Sequence, residues 1–201
     1  MSLIIKNKNK IIVILLCLLI SGVFVFFFLN SDERVEKEKA KDVETYIEES
    51  SVIDNKNQSI VKTNFNNRYV AVLEVPIINL KRGLLSLDDK SNNADYNIQT
   101  IETSSMPDKK NGNLILAAHS GSSSVSYFKN LHKLKIDDEL IVYYKGTKYT
   151  YVLSNYYDID KTGYADIVRD KNQNTLTLVT CKRGTDKQTI FISYLKSKDK
   201  Y

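Results

Sequence analysis

Cys181 closes the run Leu176-Thr177-Leu178-Val179-Thr180-Cys181 and is the only cysteine outside an N-terminal apolar segment. As a thiolate it is the one side chain here able to act as a strong nucleophile without a cofactor. A second apolar run, Leu114-Ile115-Leu116-Ala117-Ala118, ends on His119, one of two histidines in the chain. Each run reads as a short buried strand with a reactive residue at its C-terminal end. Two such ends side by side make a Cys–His pair, in which the thiolate attacks a carbonyl and the imidazole shuttles the proton. The bland alternatives are a buried, inert thiol, since free cysteine is among the most buried residue types, and a satisfied core histidine.

Other reactive-looking residues carry less. Ser120 to Ser124 is a serine-rich loop without the Gly-x-Ser-x-Gly turn of a serine nucleophile. His132 falls on a short helical pattern with no nucleophile beside it and reads as a surface residue. Two histidines and one external cysteine do not give zinc ligands at the usual spacing, so no metal or other cofactor is expected.

The elements that must hold the pair are mostly strands. Tyr69 to Val75 is β-rich, Pro76 breaks it, and Ile77 to Leu80 is again extended. Lys81 to Lys110 reads as a polar loop with some order around Leu84 to Leu87. After the Leu114–Ala118 strand, Val125, Phe128, Leu131 and Leu134 recur every third residue and predict a short helix. Glu139 to Tyr144 and Lys148 to Leu153 alternate as half-buried strands around a Lys145-Gly146-Thr147 turn. Asn155 to Asn174 is a long connection, and Thr175–Thr180 and Thr189–Leu195 are the last strands. Many short strands with minor helices predict an all-β, barrel-like domain.

In that order and spacing, Thr177-Leu178-Val179-Thr180-Cys181 resembles the active-site strand of the sortases. The apolar strand ending in His119, followed by Phe128 and Leu131, resembles the sortase histidine segment. The resemblance covers roughly residues 68–195. It implies a closed sortase-like β-barrel and a cysteine transpeptidase. Such an enzyme cuts a sorting motif, often Leu-Pro-x-Thr-Gly-like, near the C-terminus of a secreted protein. It then joins the acyl group, through a Cys181 thioester, to an amine of peptidoglycan precursor or pilin, with His119 as acid and then base. The family also places an arginine at the start of the last strand, where this sequence has Gln188 and Thr189. Arg183, two residues past the cysteine, is the candidate substitute, and Gln188 is the alternative donor. That departure keeps open a rival, a catalytically weak, sortase-like module that binds a sorting peptide without turnover; a third reading, a cysteine peptidase that uses water as acceptor, shares the site but not the product.

The rest of the chain is read as a delivery system. Ile11 to Leu29 has no charge over a length that spans roughly 28 Å as a helix. Lys6, Lys8 and Lys10 precede it, whereas Asp32 and Glu33 follow. The expected organisation is a cytoplasmic basic stretch at 1–10, a transmembrane helix at 11–29, a charged spacer at 30–67 and the catalytic domain at 68–201. The positive-inside rule puts that domain outside the cell membrane, and the sortase resemblance implies a Gram-positive-like cell. A cleaved signal peptide is the competing reading, against which stand the length of the segment and the lack of a small-x-small cleavage site. Within the spacer, Asp32 to Glu49 reads as an exposed helix laced by i,i+4 charge pairs. Net charge is +5, but removing the three leading lysines from 29 basic residues leaves 26 against 24 acidic ones. That balance is a mixed solvated surface, not a basic patch, and argues against nucleic acid.

Overall fold

The computed structural model describes residues 17–21, 36–51 and 68–201. The chain divides into two compact units, residues 1–41 and 42–201. In the first, the described stretches 17–21 and 36–41 are helical. Most of the expected membrane helix at 11–29 lies outside the described residues, and among those described no helix is long and apolar enough to cross a membrane.

The second unit is one eight-stranded sheet, rolled around a core of aliphatic and aromatic side chains. The strands are β1 (Tyr69–Val75), β2 (Leu80–Leu85), β3 (Gln99–Thr100), β4 (Asn113–Ala117), β5 (Glu139–Tyr144), β6 (Thr147–Asp160), β7 (Thr175–Cys181) and β8 (Lys187–Lys200). They run in the order β2-β1-β5-β6-β8-β7-β4-β3. All neighbours are antiparallel except β4 and β7, which are parallel. Leu73, Leu84, Leu114, Leu116, Leu140, Leu153, Leu176, Leu178 and Phe191 meet inside, and Phe128 and Leu131 belong to the same core.

The barrel is nearly closed rather than closed. β3 is only two residues long, too short to pair with β2, so side chains bridge the gap. Asn97, just ahead of β3, donates its amide N–H to the Gly83 carbonyl of β2 at 2.9 Å, and Arg82 Nε donates to Asn97 Oδ1 at 3.0 Å. Both residues are buried. A buried guanidinium is tolerated only when hydrogen-bonded, and Arg82 also donates to the Tyr127 hydroxyl at 2.6 Å while lying over that ring.

Several elements differ from the sequence expectation. β2 occupies part of the presumed polar loop, because buried Arg82 and Gly83 disguise a strand. Gly83 is required there: a Cβ would fall 2.4 Å from the Tyr69 ring. Pro76–Ile78 is a 3-10 turn, not extended chain. The expected helix around Val125 to Leu134 is a series of turns with one 3-10 segment, Leu131–Lys133. Its apolar spacing is satisfied by burying Phe128, Leu131 and Leu134, while the serines ahead of it favour local turns over a helical nucleus. The hairpin loop is two residues, Lys145 and Gly146, both at positive φ (47° and 67°), a twist that suits tight antiparallel strands. β6 continues to Asp160, so the long connection is shorter than expected, and β8 starts at Lys187.

Residues 42–51, expected as part of an exposed helix, are helical but half docked. Val43 and Tyr46 are buried against Val72, with Ile47 beside them. Tyr46 donates its hydroxyl to the Val70 carbonyl at 2.7 Å, and Ser50 shares a hydrogen bond with the Tyr201 hydroxyl. Val43, Tyr46 and Ile47 recur at i, i+3 and i+4, enough for one apolar stripe within a charged sequence. Burial pushes the Tyr46 phenol up to about 12.

Candidate active site

β4 and β7 lie side by side and parallel, one strand in from the β3 edge of the sheet, and their register is fixed at both ends. Near the start, Thr177 Oγ1 donates to Asn113 Oδ1 at 2.8 Å in a buried setting. Register then runs from Asn113 opposite Thr175 to Ala117 opposite Val179. Beyond the last pair the strands stay tied. The Ala118 N–H donates to the Val179 carbonyl, and Thr180 Oγ1 donates to the Ala118 carbonyl at 2.8 Å. His119 follows one residue after Ala118, and Cys181 one residue after Thr180, at the same end of the two strands. A slip of one residue would turn every side chain of one strand to the other face, and the buried Thr177–Asn113 bond guards against it.

The backbone after His119 is held as firmly. Its carbonyl accepts from the Phe128 N–H at 3.0 Å, closing the serine loop between them. Ser120 donates its hydroxyl to the Cys181 carbonyl, and Arg183 donates from Nε to the Ser120 carbonyl and from Nη2 to the Gly121 carbonyl. Arg183 therefore clamps the histidine segment to the turn that follows the cysteine.

Cys181 is half-buried and free of any disulfide. Its strand is otherwise buried throughout, so the thiol is where β7 first meets solvent. It lines a cavity of about 630 Å³ together with Arg183, Thr180, Phe191, Tyr156 and Asp158. Phe128 and Leu134 make an apolar part of the wall. On the polar side Asp158 accepts from the Lys182 ammonium and from Thr189 Oγ1, the second at 2.8 Å. These two hydrogen bonds, the lysine's first, hold the Asp158 carboxyl below the usual carboxylate range.

His119 lies at the edge of this arrangement rather than in the cavity lining. Its Nε2 is 2.9 Å from Asp95 Oδ1. Gln188 pairs directly with Cys181 across β7 and β8 but does not line the cavity, whereas Thr189 does. His132 is exposed as expected, with Nδ1 3.0 Å from the Lys129 carbonyl, yet it sits on the cavity wall. Asp95, Asp158 and Lys182 are contributors that the sequence reading did not single out. Asp95 is in an aperiodic polar stretch 24 residues from its partner, where no spacing rule applies. The alternation of β6 beyond Leu153 was the signal that could have located Asp158.

The family model described as Sortase domain matches residues 73–195, which span β4, β7, His119 and Cys181. The chain belongs to the sortase family. Solved sortases share the fold. Sortase A of Listeria monocytogenes is 20% identical, with 67% of this chain and 91% of that chain covered and a TM-score of 0.56. Sortase C1 of Streptococcus agalactiae is 22% identical over 81% of this chain and 90% of its own, with a TM-score of 0.58. A sortase D5 transpeptidase of Clostridium perfringens is 18% identical over 80% and 95%, with a TM-score of 0.57. No curated protein sequence matches. At these identities the solved sortases speak for the fold, and the sequence match to the family carries the membership.

Proposed function

We propose that this sortase is a cysteine transpeptidase acting on secreted proteins that carry a C-terminal sorting motif. The observation that supports the reading is the parallel β4–β7 pairing, after which both strands run out at the same end of the sheet, β7 on a half-buried Cys181 that lines a cavity and β4 two residues before His119. The Cys181 thiolate attacks the scissile carbonyl. The bond to the departing amine breaks, and His119 supplies that amine with a proton. The acyl group remains on Sγ as a thioester, which keeps the energy of the cleaved bond. An incoming amine, from peptidoglycan precursor or pilin, gives its proton to His119, attacks the thioester and releases the thiolate. Residues 11–29 anchor the protein in the cell membrane with the catalytic unit outside, where such substrates emerge. Incubation with Leu-Pro-x-Thr-Gly-type peptides and oligoglycine tests the reaction. A product heavier by the added glycines supports transpeptidation, and only the hydrolysed peptide would make it a peptidase.

The absence of arginine from β8 favours a second reading, a peptide-binding module without turnover. Native alkylation separates the two: a catalytic Cys181 reacts with a methanethiosulfonate reagent in the folded protein, and an inert one only after unfolding.

In the catalytic reading Arg183 takes over the missing arginine's work. Its clamp on the Ser120 and Gly121 carbonyls uses two of five guanidinium N–H groups, and the side chain lines the cavity. Arg183→Ala is expected to lower the rate by about 10²-fold, the usual cost of one oxyanion donor. Arg183→Lys rescues poorly, because a point charge does not reproduce the planar fork. Gln188→Ala is the comparison: if it carries the loss and Arg183→Ala is silent, Gln188 is the donor and this assignment is wrong.

A further inference from the structure

We infer that Asp95 is a positioning residue for His119, fixing which ring nitrogen carries the proton. The inference rests on the transpeptidase reading of the site. Asp95 Oδ1 lies 2.9 Å from His119 Nε2, so the carboxylate accepts the Nε2 hydrogen and leaves Nδ1 as the nitrogen that exchanges protons with the reacting groups.

Stability does not explain the pair. The two side chains are 45% and 73% exposed, and an exposed ion pair contributes little to folding. What singles it out is the rigidity behind it. Asp95 stands in a turn where its own N–H donates to Asn93 Oδ1 at 2.9 Å, and the N–H groups of Tyr96 and Asn97 both donate to the Asn93 carbonyl. Two residues on, buried Asn97 is bolted to Gly83 and Arg82 in the seam of the barrel. Arg82 in turn donates to Tyr127, next to the Phe128 whose N–H holds the His119 carbonyl. Carboxylate and imidazole are thus attached to one hydrogen-bonded frame, and neither backbone has to be ordered to bring them together. A carboxylate so placed selects one imidazole tautomer and orients the ring.

The test compares Asp95→Ala, Asp95→Asn and His119→Ala, using the best-cleaved peptide from a Leu-Pro-x-Thr-Gly-type library and nitrogen-15 NMR of the histidine rings. With only two histidines in the chain, the His119 signals are those lost in His119→Ala. In the wild type the neutral His119 ring carries its proton on Nε2. Asp95→Ala is expected to abolish that preference and to lower kcat by about 10-fold or more, with KM within about twofold. Asp95→Asn, whose carbonyl still accepts, recovers part of both. A ring proton that does not move in Asp95→Ala, or a kcat within about twofold of wild type, overturns the proposal. A rise in rate also overturns it, since Asp95 would then restrain the histidine. If His119→Ala itself retains activity, the catalytic reading of His119 has failed, and the ring-proton measurement still decides whether Asp95 sets the tautomer.

Discussion

Cys181→Ala is expected to abolish peptide cleavage and to leave the barrel folded. The thiol is half-buried at the last residue of β7, and among the described residues the only other cysteine is Cys17, in the N-terminal unit. The one serine in the cavity lining, Ser120, has its hydroxyl committed to the Cys181 carbonyl. The substitution removes one sulfur atom from a half-exposed strand end, so the cost in stability is about 1 kcal/mol or less, well under the several kcal/mol of a large-to-small change in a sealed core. Thermal unfolding should therefore be nearly unchanged while turnover falls to background. Cleavage that persists in the alanine variant would end the sortase mechanism for this protein.

His119→Ala is expected to lower turnover by about 10²–10⁴-fold, the usual contribution of a positioned acid–base group. Without it the leaving amine departs unprotonated and the incoming amine has no base. Because nucleophile and base act as a unit, the double variant with Cys181→Ala should be no worse than Cys181→Ala alone. More than about a tenth of wild-type activity in His119→Ala is too much for a residue in this role. Peptide binding should survive in both variants, because the cavity walls, built from Phe128, Leu134 and Phe191, are untouched. Fluorescence anisotropy with a labelled peptide checks that separation of binding from chemistry.

The parts of this fold that can be read from the chain are those where local pattern and burial agree. β4 is largely an apolar run and β7 mixes threonine with Leu and Val, both almost wholly buried, and the positions of Cys181 and His119 follow from where those stretches stop. The β5–β6 hairpin is legible from alternation around Lys145-Gly146. β2 is not, because its Lys81-Arg82-Gly83 stretch looks like loop until the hydrogen bonds that accommodate a buried Arg82 are seen. The turns from Val125 to Leu134 mislead in the opposite sense, since apolar residues at every third position satisfy a chain of tight turns as well as a helix. At the site, the Cys181 and His119 strands were legible, and so was the possibility that Arg183 reaches back. The target of that arginine was not. It bonds backbone carbonyls at Ser120 and Gly121, which have no residue signature. The Asp95–His119 contact depends likewise on how the barrel seam holds a loop, a tertiary effect beyond any spacing rule.

The most direct test of the account is the mass of the intact protein after brief mixing with a Leu-Pro-x-Thr-Gly-type peptide and acid quenching. A transpeptidase that works through Cys181 gains the mass of the acyl fragment up to the threonine. The adduct maps to the peptide that contains Cys181, disappears when hydroxylamine or oligoglycine is added, and does not form in Cys181→Ala. Turnover of the peptide with no adduct on Cys181, or an adduct that forms equally in Cys181→Ala, would contradict the proposed mechanism.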